Sequence, residues 1–400
     1  MNTSPEKAFC NPWEQRAEFP PVGSRNITFS LAIVFLCALA IPLSAFYESV
    51  ALLILIALFC YVVSLVRVPF SVFILLGTAF LTASLSQTSA AGAVALSLIV
   101  GTGALAFLLT AMETPWIPLL VPVAAGCVSY AVLGSWRIAL FALAFLPAAV
   151  LLAVATRRGE GRTTAICFAA AGLLAVVAIT VGWFLSTQSA ARGISISEYV
   201  SLFKDAFGKA VLDMRDEYGA ILREVGWTEE NISAFLEPYS DESLLALTES
   251  LASLFPAICC VACGVIAFEA QILLNGVYRS VGWKRALTLG ATVFTMSPTA
   301  AVIYFVTFVL SMIPMEATVA SLVIVNLNTL LFPGFLVIGF TVLMLSFSRS
   351  KGGGRSVWIL LLGGLLCCRI DMALPLLALY GSNSVVLGGL YQKIKNKTGE

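Results

Sequence analysis

Apolar residues in this chain come in long blocks separated by short polar stretches. The blocks lie near 27–45, 49–66, 69–87, 90–111, 115–134, 138–155, 164–186, 251–276, 287–312, 317–346 and 356–380. Each approaches the roughly 20 apolar residues that a membrane-crossing helix needs. Pro69, Pro115 and Gly134 fall where consecutive helices should turn. Prolines 42, 122, 147, 298 and 333 fall inside blocks. There they predict kinks, which neighbouring helices and side chains can satisfy. The pattern predicts an all-α polytopic transmembrane helical bundle of about 11–12 spans, with an extracytoplasmic amphipathic helical segment between two sets of spans.

One long stretch departs from this pattern. Residues 187–250 hold 12 of the chain's 22 acidic residues and 5 basic ones. Apolar positions recur at Ile196, Val200, Phe203, Phe207, Val211, Met214, Tyr218, Ile221 and Val225. Steps of four and three mark an amphipathic helix. Ser195 with Glu198 forms a capping box at its start, and Gly226 is placed to end it. Thr228 predicts a second, short helix holding Ile232, Phe235 and Leu236, which Pro238 terminates. Ser240, followed by Asp241 and Glu242, caps a third helix running toward the eighth span. For the long helix, the leading expectation is that its apolar face packs over the outer ends of the spans. A lid over a substrate cavity and a docking face for a partner stay open. An interfacial helix lying on lipid usually carries a basic polar face, and this one is acidic.

Lys and Arg in short loops set the orientation. With the N-terminus inside, the inner segments hold Lys7, Arg16, Arg25, Arg67, Arg157, Arg158, Arg162, Arg279, Lys284, Arg285, Arg349, Lys351 and Arg355. The short outer loops hold only Arg137. The resulting layout is a cytoplasmic tail over 1–26, about seven spans over 27–186, the outer acidic segment over 187–250, four or five spans over 251–392, and a basic tail over 393–400. Eleven spans would put Lys393, Lys395 and Lys397 outside. The stretch 356–392 is therefore read either as one span with an interfacial segment or as a tight hairpin turning near Arg369 to Pro375. The hairpin, which keeps the C-terminus inside, is preferred. The first apolar block reads as a retained helix, with no cleavable signal peptide expected.

Composition changes the picture by exclusion. Sixty per cent of the residues are hydrophobic and 11% charged, against about 25% charged in an ordinary soluble domain. The surplus apolar surface must face a lipid bilayer. A net charge of +1 leaves no basic footprint for nucleic acid. The sequence contains no histidine, which removes Ser-His-Asp and Cys-His nucleophiles and His-ligated zinc or haem. There is no GxxxxGK[ST] motif for an ATPase site. The ten cysteines lie in or beside apolar runs, apart from Cys10 in the N-terminal tail. No disulfide framework is expected, and Cys260 and Cys263 read as small buried hydrophobes. Neither an enzyme, a metal site nor a cofactor is expected.

Few polar groups lie within the spans, and these are the candidate functional residues. Glu269 sits in the eighth span, followed by Gln271 and Asn275; Asn326 and Asn328 sit in the tenth. Ionisable residues in a membrane are costly and mark functional candidates. Glu269 is read either as the structural partner of another helix or as a site for a cation, a proton or a substrate amine. Gln271, Asn275, Asn326 and Asn328 are the substrate-binding candidates beside it. Ser297 and Thr299, flanking Pro298, are placed to line the same interior. Asparagine in a span also serves as interhelical glue. Arg369 and Asp371 read as a local pair. Small residues such as Thr82, Ser84, Ser97, Gly101 and Gly103 predict close helix approach in the first half.

Several short motifs accompany this layout: Leu251-Ala252-Ser253-Leu254-Phe255-Pro256-Ala257, Val277-Tyr278-Arg279-Ser280-Val281-Gly282-Trp283, and Asn326-Leu327-Asn328 ahead of Phe332-Pro333-Gly334. Tyr380-Gly381-Ser382 and a basic tail follow. Over about residues 27–396 the chain resembles the YybS-like family of bacterial membrane proteins. That resemblance implies a core similar to the substrate-binding subunits of energy-coupling-factor transporters. It also implies a bacterial cytoplasmic membrane and separate ATPase and coupling subunits as partners. The other expectation is a scaffold or assembly factor of the bacterial envelope, with another envelope protein as partner.

Overall fold

A computed structural model describes Ile27, Leu31 and Val34, and residues 89–112, 114–133, 143–280, 294–313, 318–349 and 370–398. Among the described residues all regular structure is helical. The elements are α1 (Ser89–Ala111), α2 (Trp116–Leu133), α3 (Leu146–Arg157), α4 (Arg162–Arg192) and α5 (Ile196–Glu224). They continue as α6 (Glu229–Leu236), a 3-10 turn (Glu237–Tyr239), α7 (Asp241–Ser280), α8 (Pro298–Ser311), α9 (Val319–Arg349) and α10 (Ile370–Thr398). Three stretches are long and apolar enough to cross a membrane: Arg162–Arg192, Glu229–Tyr278 and Val319–Leu343. The chain is a helical membrane bundle. The first three apolar blocks lie outside the described residues, apart from the three helical positions near the start.

Two apolar clusters hold the bundle together. The larger joins α1, α3, α4 and α7 through Phe107, Leu108, Leu152, Leu173 and Leu273, with Val34 beside them. In lipid, helices gain little from hiding apolar surface, so close backbone approach carries the packing. Glycines provide that approach. A Cβ on Gly103 would meet Leu273 Cδ2 at 2.8 Å and the Ala270 carbonyl at 3.2 Å. One on Gly172 would sit 2.7 Å from the Ala148 nitrogen, and Gly101 rests on the Phe145 ring. The smaller cluster joins α8, α9 and α10 around Tyr304, Phe335, Ile338 and Ala378. There Gly339 and Gly381 face each other, and a Cβ on either would run into the Leu377 or Phe335 carbonyl.

Two predicted kinks are helix starts instead. Pro298 does not sit within a span. Residues 294–297 are non-helical, and Pro298 is the first residue of a helix only 14 residues long. Ser297 caps it, its hydroxyl accepting from the Ala300 N–H at 3.1 Å. A proline has no N–H to lose at this position, and its fixed φ suits the first turn. Ser297 is spent on the cap and, like Thr299, is exposed, so the two do not line an interior. Pro147 likewise lies in the first turn of α3, after a turn at Leu143–Phe145.

The preferred hairpin turn is also corrected. Residues 370–375 are helical, and α10 continues unbroken through Pro375 and Gly381 to Thr398. Gly381 is a contact point with α9 rather than a break, because removing its side chain admits the neighbouring backbone. Arg369 lies outside the described residues.

Elsewhere the polar signals act locally as expected. Ser195 and Glu198 form the full capping box, α5 ends before Gly226 with φ +91°, and Thr228 caps α6. The helix predicted to start at Ser240 and the apolar block over 251–276 are one continuous helix of 40 residues. At 1.5 Å per residue it is about 60 Å long, roughly twice the hydrocarbon thickness of a bilayer.

Candidate functional site

α7 joins two very different ends. At one end its last turn meets the C-termini of α1 and α3. Tyr278 is fully buried there, and its hydroxyl donates to Thr110 Oγ1 at 3.0 Å. Thr110 in turn donates to the Ala106 carbonyl at 2.7 Å, and Thr156 faces the same tyrosine hydroxyl. Arg157 reaches from α3 across the end of α1. Its Nε donates to the Leu109 carbonyl at 3.2 Å, and its Nη2 to the carbonyls of Thr110 and Met112 at 2.9 and 2.7 Å. The final carbonyls of a helix lack intrahelical donors and carry its negative dipole end. A guanidinium satisfies both needs. In the sequence Arg157 stands out only as a loop cation that sets orientation, and Thr110 and Thr156 carry no distinguishing pattern of their own. The available signal was a threonine one residue before the end of an apolar helix with no basic residue in its last turn.

The predicted site residues do not form one constellation. Glu269 is 2% exposed, within the packed C-terminal half of α7. Gln271 is buried and already engaged: its Oε1 accepts from Arg162 Nε at 3.1 Å, and its amide donates to the Arg162 carbonyl at 3.4 Å. The same guanidinium lies 5.0 Å from the centre of the Phe268 ring, within cation–π range. Asn275 is half-buried. Asn326 donates to the Ser253 carbonyl at 3.1 Å and to the Leu322 carbonyl at 2.9 Å. Ser253 precedes Glu269 by 16 positions, so the two levels are about 24 Å apart along α7. Asn326 thus acts as interhelical glue at one level, and Gln271 does so at the other. Asn328 is half-buried, and its side-chain oxygen is enclosed without a hydrogen-bond partner.

At the opposite end of α7 lies the acidic layer of α5 and α6. Arg215 donates to the carboxylates of Asp216 and Asp241 and to the Tyr239 carbonyl, tying α5 to the start of α7. Those carboxylates hold its guanidinium above its ordinary pKa. Arg223 donates to Glu229 at 2.6 Å, bracing the turn into α6 and lowering the pKa of that carboxyl. The Ser195 N–H and hydroxyl, at 2.8 and 2.9 Å, hold Glu198 below the usual carboxylate range.

The seating of α5 was not legible in its pattern. The positions that dock it are Tyr199, whose ring meets Phe184 of α4 edge-on at 6.4 Å, and two glycines. Gly208 packs on Leu245 of α7, and Gly219 on Leu236 of α6. The expected packing face is instead largely open: Ile196, Phe203, Phe207, Met214, Tyr218, Ile221 and Val225 are between 43% and 70% exposed. With roughly 100° per residue, the glycine line is about 120–140° round the helix from the centre of this stripe. At its far end the stripe continues into an aromatic group, in which Tyr218 stacks on Phe235 at 6.4 Å and Trp227 meets Phe235 edge-on at 5.8 Å.

No protein-family model matches the chain, nor does any curated protein or solved structure.

Proposed function

We propose that the protein is a membrane scaffold or assembly factor of the bacterial envelope, which holds a docking surface outside the cytoplasmic membrane. The observation that carries this reading is the exposed apolar stripe of α5. Exposed apolar patches on a protein surface mark interaction sites. The long α7 suits the role, because a single continuous helix connects the acidic layer to the bonded polar knot at the other end. The clustering of Arg157, Arg158 and Arg162 at that knot favours placing it in the cytoplasm. A photo-crosslinking amino acid at Phe207, introduced in cells, should trap one discrete protein. The same probe at Asp205, on the opposite side of α5, should not. Absence of an adduct from Phe203, Phe207, Met214 and Ile221 alike would remove this reading.

A second reading, a substrate-binding transporter subunit like those that the resemblance implies, draws on Glu269 and Asn328. A buried carboxyl inside a span is the kind of group that binds a cation or amine. Thermal-shift measurements in detergent with metal ions, amino acids and vitamins test it. It expects one ligand to raise the unfolding midpoint and Glu269→Gln to abolish that rise.

A further inference from the structure

We infer that the partner segment on α5 is a basic amphipathic helix of another protein; this rests on the docking reading above. The apolar stripe has an asymmetric border. Taking Met214 as its centre, Asp213, Glu217 and Glu224 lie on one side, within about 60–100° of it. All three are exposed, and none forms a salt bridge among the described residues. On the other side Arg215 is already taken by Asp216 and Asp241, which leaves Lys204 as the nearest cation with no such bridge. On the acidic flank the one cation is Lys209, exposed four residues before Asp213, so the surface offers apolar side chains beside a border that is net negative, three carboxylates to one lysine.

That chemistry selects among occupants. A helix laid into an apolar surface is read through anchors at three- and four-residue steps. Here Phe203, Phe207, Met214 and Tyr218 supply the complementary row. A partner with Lys or Arg along one border would neutralise Asp213, Glu217 and Glu224. A second copy pairing antiparallel would bring acidic border against acidic border, which costs affinity. An anionic lipid surface would be repelled by the same border. The opposite charge is what the surface lacks.

The test uses the full-length protein in phosphatidylcholine nanodiscs, with empty discs as the control. Two synthetic 21-residue helical peptides share one leucine pattern and differ only in lysine or glutamate at the polar positions. The lysine peptide should bind the loaded discs at least about tenfold more tightly than the glutamate peptide, and added salt should weaken it. Combining D213N, E217Q and E224Q should lower its affinity by about tenfold. Phe207→Ser should lower it too, and Asp205→Asn should leave it unchanged. Equal binding of both peptides, or undiminished binding by the triple variant, would overturn the inference. So would a dimer in sedimentation that Phe207→Ser dissolves. If the Phe207 crosslink traps a protein whose contacting segment is not basic, the scaffold reading stands and the charge assignment fails. If Phe207 and its neighbours trap nothing, the scaffold reading itself fails.

Discussion

The two ends of α7 handle polar groups in opposite ways. At the end near Tyr278, the polar side chains are few, buried and bonded to one another or to helix carbonyls. At the end near Asp241, they are many, solvated and paired only in part, and apolar side chains stand exposed among them. An unmade hydrogen bond inside a bundle costs about 1–3 kcal/mol, which favours the bonded arrangement around Tyr278. In water the same groups are cheap, and ion pairs between them contribute little. The first end should therefore set global stability, and the second should be free to serve recognition.

The largest effect should come from removing Tyr278. Tyr278→Ala deletes a fully buried ring and the donor to Thr110. Truncations of this size cost about 3–5 kcal/mol. Irreversible unfolding is common in such proteins, so the measurable result is a lower midpoint and a shorter half-life at fixed temperature in detergent. Arg157→Met should follow, because three carbonyls at the end of α1 lose their donor. A Tyr278→Ala protein as heat-stable as the parent would break the contrast between the ends.

A smaller and more local effect is expected at the acidic end. Gly208→Leu forces a branched side chain against Leu245, where even a Cβ would lie 3.1 Å from the leucine methyl. Overpacking of this kind costs about 1–3 kcal/mol. Here it should lift α5 off α7 and leave the apolar clusters intact. Limited proteolysis should then cut within 193–195 and 225–228 much faster, with the global midpoint unmoved. If the midpoint falls as far as in Tyr278→Ala, the α5–α6 layer is part of the stability core.

These contrasts also show how far the sequence could be read. Hydropathy placed α1, α2, α4 and α9 well, because lipid demands long apolar helices whatever packs beside them. Caps were legible for the same local reason: Ser195, Glu198 and Thr228 act within one turn of themselves. What escaped was information about neighbours. A Ser-Pro pair such as Ser297-Pro298 starts a helix or kinks one, depending on what precedes it. Gly381 is a break or a contact, depending on whether another backbone arrives. The stripe on α5 announced an amphipathic helix correctly, but amphipathicity does not say whether the apolar face is covered. Of the three positions that seat α5, Gly208 and Gly219 carry no hydrophobic signal at all, and Tyr199 lies off the centre of the stripe. Among the candidates, the burial of Glu269 could be read from its apolar surroundings. The engagement of Gln271 by Arg162 could not, since the two are 109 positions apart.

The smallest effect concerns pH, and its direction follows from the hydrogen bonds. Glu198 and Glu229 both have pKa values below the ordinary carboxylate value, the first through Ser195 and the second through Arg223. A lowered carboxylate pKa stabilises the fold fully above the unfolded value of about 4.3, and that contribution fades as pH drops through the folded value. Between neutrality and about pH 5 the α5–α6 layer should therefore not change. Below about pH 4 the first turn of α5 and the turn into α6 should loosen. Hydrogen-exchange protection factors for residues 196–202 and 225–232, corrected for the intrinsic pH dependence of exchange, should fall in that range. Those around Tyr278 should hold, because neither of these carboxylates touches that knot. Glu198→Gln should remove most of the pH dependence at the start of α5 and leave that of the α5–α6 turn in place. A loss of protection at both ends of α7 in the same pH range would mean that the two ends unfold as one unit.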